Sequence, residues 1–253
     1  VCPPDDYARQ LAKSIPVIVV ANLKGGVGKT TAVANLAAHY DCKKNRRVLA
    51  IDFDFQGSLS ANILSREERD NSFQLQIDGN PSKAAQLVDG RTGAWVRNVS
   101  VGIEGTRRGR CIPSYYTLSS MENRVMVEWL IAKRREDIRY SLARALLDLD
   151  VQSAFDLVLI DAPPRLTTAS VQAFCASNQV LVPTILDGLS VEATGGFLSQ
   201  LATNQPIWPN LHLLGVFANM TKNLTADRDG VLIDGRLQDH EAEQLRTLQD
   251  VVP

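Results

Sequence analysis

Pro16-Val17-Ile18-Val19-Val20-Ala21-Asn22-Leu23-Lys24-Gly25-Gly26-Val27-Gly28-Lys29-Thr30-Thr31 is the stretch from which the rest of the chain can be read. Its apolar run fits a strand covered on both faces, and the apolar pattern after the glycines fits a helix. Glycines let successive backbone N–H groups turn toward one anion, and a helix N-terminus adds partial positive charge at the same place. Strand, glycine-rich turn and helix are the context a phosphate-binding loop requires. Gly25, Gly26, Val27 and Gly28 would supply the backbone cradle, with Thr31 just beyond it. Lys29 can reach terminal phosphates, and the Thr30 hydroxyl can ligate magnesium. The common pattern G-x-x-x-x-G-K-[ST] fails at its first position, where Leu23 stands. Lys24 places a second ammonium close to Lys29. It could offset charge developing on a γ-phosphate, and a solvated loop lysine explains the spacing equally well.

Short apolar runs at Pro16 to Asn22, Arg47 to Phe53, Phe155 to Asp161, Gln179 to Pro183 and Leu211 to Ala218 are the strand candidates. Helical patterns at Thr30 to Tyr40, Thr167 to Ser177 and Val191 to Thr203 lie between them. Such alternation marks βαβ units, so the expected fold class is α/β, a doubly wound, mostly parallel sheet with helices on both faces. Asp70 to Gly109 reads as polar and loop-rich, with one short strand around Val99, Val101 and Ile103. Ser119 and Ser120 read as N-caps ahead of two amphipathic helices, one through Met121, Val125 and Trp129, the other through Ile138, Leu142 and Leu146. Their exposed faces would carry Lys133, Arg134, Arg135 and Arg139.

Ligands in such sheets sit beyond the carboxyl ends of the strands. Two carboxylates, Asp52 and Asp54, lie there in Ile51-Asp52-Phe53-Asp54-Phe55-Gln56-Gly57. Carboxylates beside a triphosphate repel it unless a cation intervenes, so one could hold hydrated magnesium and the other orient a water. An acidic residue capping the next helix is the plainer reading. Asp161 ends the apolar run Leu157-Val158-Leu159-Ile160 and is placed to hold magnesium through water, whereas Asp156 lies at the far edge.

These motifs together resemble the ParA/MinD family of deviant Walker A ATPases, most closely its ParA-type partition members, over roughly Pro16 to Thr221. Ala21 to Thr31, with Asn35-Leu36-Ala37 in the helix, is similar to the family's first motif almost residue for residue. Ile51 to Gly57 resembles its D-x-D-P-Q-G, with Phe55 in place of the proline, and Asp161-Ala162-Pro163-Pro164 resembles its D-x-P-P. Ile112-Pro113-Ser114 with Leu118 and Glu122 resembles the segment before its interface helices. The resemblance implies a phosphate-binding-loop NTPase that uses ATP and Mg2+. Lys24 would be the signature lysine that crosses to the partner's nucleotide in an ATP-bound homodimer, Asp54 the residue positioning the attacking water, and Thr30, Asp52 and Asp161 the metal group. Asn219 lies where the family often contacts adenine, and a strand-end turn explains it as well. The implied function is slow, partner-stimulated hydrolysis in a switch that partitions or positions DNA, with nonspecific duplex DNA and a ParB-like adaptor as partners. A MinD-like ATPase positioning a membrane-bound or protein cargo is the alternative.

Composition fits this picture. The 253 residues, 45% hydrophobic and 22% charged, suit one ordinary folded domain. Residues 1–15 read as an N-terminal extension, 222–237 as an insertion and the C-terminus as the end of a fragment. No secretion signal or spanning segment is expected, and a cytoplasmic location is. The four cysteines are far apart, without a CxxC pair, and read as reduced structural thiols rather than iron–sulfur or zinc ligands. The net charge of −1 offers no general attraction for nucleic acid. DNA contact would need local clusters, for which Arg107, Arg108, Arg110, Lys133, Arg134, Arg135, Lys222 and Arg228 are candidates.

Overall fold

The computed structural model describes residues 6–131, 136–220, 225–226, 232–233 and 239–251. Its strands are β1 (Val17–Val20), β2 (Val48–Asp52), β3 (Val101–Gly102), β4 (Arg110–Ile112), β5 (Leu157–Asp161), β6 (Gln179–Ile185) and β7 (His212–Asn219), with a separate antiparallel pair, β8 (Thr225–Ala226) and β9 (Leu232–Ile233). Its α-helices are α1 (Tyr7–Lys13), α2 (Lys29–Cys42), α3 (Ser58–Ile63), α4 (Arg66–Ile77), α5 (Lys83–Val88), α6 (Gly93–Val99), α7 (Thr117–Leu130), α8 (Ser141–Leu147), α9 (Leu149–Ala154), α10 (Thr168–Ala176), α11 (Gly188–Thr203) and α12 (Asp239–Val251). The main sheet has the order β3-β4-β2-β5-β1-β6-β7. All its pairings are parallel except that of β3 with β4.

The central strands alternate between two cores. Val17, Val19, Leu49, Ile51, Val158 and Ile160 pack on one face with α5, α7, α8 and α10. Ile18, Val20, Val48, Ala50, Leu157 and Leu159 pack on the other with Val33 and Ala37 of α2 and Leu59 of α3. Burial on both faces explains why the strands read as continuous apolar runs. The doubly wound class holds. No helix among the described residues is long and apolar enough to cross a membrane.

Three details depart from the sequence reading. The segment expected to be loop-rich carries α4, α5 and α6, each with a Ser or Thr N-cap: Ser65 accepts from the Glu68 amide, Ser82 from Ala85 and Thr92 from Trp95. Ser119 and Ser120 are not caps, because α7 has already begun at Thr117. Arg139 is not on an exposed face: its side chain is 12% exposed, paired with Asp137 and set against the Trp129 and Tyr140 rings. Lys133, Arg134, Arg135, Lys222 and Arg228 lie outside the described residues, as does most of 222–237.

Candidate active site

Parallel pairing brings the ends of β2, β5 and β1 into register: Asp52 faces Asp161 across one pair and Val20 faces Asp161 across the other. The glycine loop leaves β1 at this edge. Asn22 fixes its start: its Nδ2 donates to the Pro183 carbonyl (2.9 Å) and Thr194 Oγ1 (3.1 Å), and its Oδ1 accepts from the Lys24 amide at 3.0 Å. Gly26 and Gly28 have φ of 75° and 93°, which glycine adopts without the clash of a Cβ. Gly28 caps α2, and a Cβ there would lie 1.9 Å from Asn219 Nδ2. That nitrogen donates to the Val27 carbonyl at 3.0 Å, tying the end of β7 to the loop.

The two lysines of the loop are held apart. Lys29 Nζ donates to the Lys24 carbonyl at 2.9 Å and is almost fully buried. Burial lowers its pKa, while Asp161 and Asp54 act in the opposite sense. Lys24 Nζ turns to the head of α11, 2.6 Å from Ser190 Oγ and 3.2 Å from Asp187 Oδ1, with its side chain 30% exposed. Asp187 caps α11 through the Ser190 amide, and bonds from Ser190 and Lys24 hold its carboxyl below the usual range.

Thr30 Oγ1 donates to Asp161 Oδ2 at 2.7 Å. Burial, then the neighbouring Asp52, raises the Asp161 pKa. Asp161 Oδ1 is buried and has no hydrogen-bond partner among the described residues. Asp52 is fully buried: Oδ2 accepts from the Ser60 amide (2.8 Å) and hydroxyl (2.7 Å), and Oδ1 from the Asp54 amide (3.1 Å). Asp54 stands half-buried at the rim, its Oδ1 accepting from the Gln56 amide at 3.0 Å. Phe55, where the family pattern has proline, carries the Arg165 guanidinium 4.7 Å above its ring and lies 6.4 Å from the Tyr116 ring. Beside the loop, Gly28, Thr31, Ala32, Asn35, Leu36, Leu181, Phe217 and Asn219 line a cavity of about 470 Å³.

The loop residues, Asp52, Asp54, Asp161 and Asn219 thus meet at one edge of the sheet, and only Lys24 directs its ammonium away. The sequence reading missed Ser60, Asp187, Ser190 and Arg165. An Asp-x-x-Ser cap after an apolar strand was a visible signal for Asp187 and Ser190, whereas the reach of Ser60 to Asp52 appears only in three dimensions.

Residues 15–207 match the AAA domain family. The chromosome-partitioning ATPase Soj of Thermus thermophilus is 30% identical over 205 residues, which cover 80% of this chain and 68% of that protein. The chain belongs to the ParA/MinD-type deviant Walker A ATPases. The chromosome partitioning protein ParA of Caulobacter vibrioides is 31% identical over 212 residues, 83% of this chain and 71% of that one. Among solved structures, cobyrinic acid a,c-diamide synthase from Mycobacterium smegmatis, with bound ATP analog and magnesium, superposes with a TM-score of 0.68 at 28% identity, covering 93% of this chain and 82% of that one. This deviant Walker A chain therefore shares its fold with a synthase as well as with partition ATPases, and its activity has to be argued from its own residues.

Proposed function

We propose that the chain is a slow Mg2+-dependent ATP hydrolase whose ATP-bound state is a homodimer, serving as a switch that partitions or positions DNA and is reset by a hydrolysis-stimulating adaptor. The observation that carries this reading is the separation of the two loop lysines, one buried within its own loop and the other at the rim on Asp187 and Ser190. A second lysine at the rim is suited to charge outside its own cradle. Tyr116, Leu166 and Leu189, just beyond β4, β5 and β6, are exposed apolar side chains around the same edge, as a face that closes on a second copy would be. The names of the Soj and ParA relatives support partition as the use of the switch.

The residues fit a divalent cation, because Asp161 Oδ1 is a buried carboxylate oxygen in want of a partner. Thr30 and Asp161 would hold magnesium, with Asp52 behind them. When bound, the ion would neutralise charge on the β- and γ-phosphates. The amides of Gly25 to Gly28 and the head of α2 would receive the phosphates, and Lys29 would exchange the Lys24 carbonyl for their oxygens. Asp54, at the rim, would orient the attacking water. Asn219 and the apolar cavity beside Thr31 suit a flat purine.

Phosphate release per subunit, followed over a dilution series, tests the reading. If a partner's Lys24 completes each site, the specific rate rises with protein concentration. A rate that stays flat across the series would exclude a shared site.

A further inference from the structure

The two turns at the opposite edge of the sheet gather cations on one surface of a chain whose net charge is −1. The first, 43–46, joins α2 to β2 and carries exposed Lys43, Lys44 and Arg46. The second, 103–109, joins β3 to β4 and carries exposed Arg107 and Arg108. They begin 60 residues apart in sequence, counted from Lys43 to Ile103, and several hydrogen bonds lock them together. The Arg108 guanidinium bonds the backbone carbonyl and, at 2.8 Å, the Oδ1 of Asn45, a residue held at a φ of 54°. The carboxylate of Asp41, 1% exposed, accepts the Arg107 amide at 2.5 Å and the Arg108 amide at 2.9 Å. Cys42 Sγ adds a contact to the Gly105 carbonyl.

The buried acid is thus spent on backbone amides, and the Arg108 guanidinium, though bonded to Asn45, meets no carboxylate. Lys43, Lys44, Arg46, Arg107 and Arg108 form no close ion pair with a carboxylate among the described residues; the nearby Asp156 is bound by Arg47, and Arg46 acts on it only through the field of its charge. Arg110, read from sequence as one of this group, is instead tied back to Ser100.

We infer that these two turns form a docking surface for the phosphate backbone of duplex DNA, an inference that rests on the partition reading for its ligand. Five exposed cations on two adjoining turns, against the one exposed carboxylate of Glu104, match a polyanion with closely spaced charges. None of the exposed large hydrophobic side chains among the described residues falls in 41–47 or 103–110, whereas surfaces that settle into lipid carry apolar or aromatic residues beside their cations. Contact is with phosphates and carries no sequence preference. The surface lies at the start of β2 and the nucleotide edge at its end, about 16 Å away for five residues at ~3.3 Å each. In a dimer closed at the nucleotide edge the two surfaces face outward, so a short duplex meets one of them, and ATP turns single contacts into bridges between duplexes.

The test is fluorescence anisotropy with labelled 15-base-pair duplexes of unrelated sequence, over a potassium chloride series, with and without ATP and magnesium. It compares the wild type with Lys43→Glu/Arg46→Glu/Arg107→Glu and with the milder Lys43→Gln/Arg46→Gln/Arg107→Gln. All three side chains are exposed and remote from the nucleotide edge, so basal ATP hydrolysis within twofold of wild type reports an intact fold. The charge-reversed protein should lose at least tenfold in affinity. The Gln variant should show a log affinity against log salt slope shallower by about 0.9 for each phosphate it no longer neutralises. Wild-type affinity and slope in both variants would overturn the inference and leave the partition reading standing, with DNA held elsewhere. No duplex binding by wild type in either nucleotide state, at any salt, would defeat both. Patch-dependent binding to phosphatidylglycerol vesicles without duplex binding would replace DNA by a lipid surface.

Discussion

Lys24 and Lys29 are five positions apart, and spacing alone gives them equal claims on a phosphate. The fold separates them, because Asn22 pins the loop at the Lys24 amide while the head of α11 receives the Lys24 ammonium. Lys29→Ala should therefore weaken ATP binding by about 2–3 kcal/mol, on the order of 100-fold, as expected for a buried charged contact to phosphate. Lys24→Ala should keep ATP affinity within about threefold and lose hydrolysis. A fluorescent ATP analogue titrated into both variants separates the cases, and equal losses would reject the division of labour. Phe55 makes a second residue-scale case. Arg165 over its ring steadies the turn that carries Asp54, and small displacements of a water-orienting group cost rate. Arg165→Ala should lower kcat several-fold with little change in KM, as steady-state kinetics would show, and Arg165→Lys should recover part of the loss.

At the scale of elements, legibility followed burial. β1, β2 and β5 were plain in the sequence because sandwiched strands must be apolar throughout. The glycine loop was plain because few residue types permit its backbone. β4 (Arg110–Ile112) escaped because three residues leave no periodicity to read. α4, with the sequence REERDNSFQLQI, escaped because it buries little, although Ser65 and Glu68 marked its start. Caps hold these short helices. Ser82→Ala should cost about 1 kcal/mol in urea unfolding, since the Ala85 amide loses its acceptor. At the far edge, Arg47 lowers the Asp156 pKa to about 2 through a paired hydrogen bond. A carboxylate whose folded pKa lies below its unfolded value stabilises the fold above the unfolded pKa, near 4, and loses that contribution as pH falls toward 2. Asp156→Asn should cost about 1 kcal/mol at pH 7, solvent screening included. Thermal melts should show the gap to wild type closing between pH 5 and pH 2.

For the molecule as a whole, the sheet separates its two ends. The glycine loop, Asp52, Asp54, Asp161 and the exposed Tyr116, Leu166 and Leu189 gather where the strands finish, and Lys43, Lys44, Arg46, Arg107 and Arg108 where β2 and β4 begin. That polarity was hidden in a net charge of −1, because Lys43 to Arg46 and Arg107 to Arg108 become one surface only through the hydrogen bonds of Asp41 and Arg108. A switch follows if ATP joins two copies at the first end, since a ligand shared between subunits stabilises the dimer and hydrolysis withdraws that support. Asp54→Ala is the variant that isolates this step, because it should block hydrolysis while leaving the phosphate cradle intact. Sedimentation velocity of Asp54→Ala with saturating ATP and magnesium, set against ADP and magnesium, is the most direct measurement. A dimer with ATP and a monomer with ADP is the expected result, and an Asp54→Ala protein that stays monomeric with ATP would contradict a nucleotide shared between subunits.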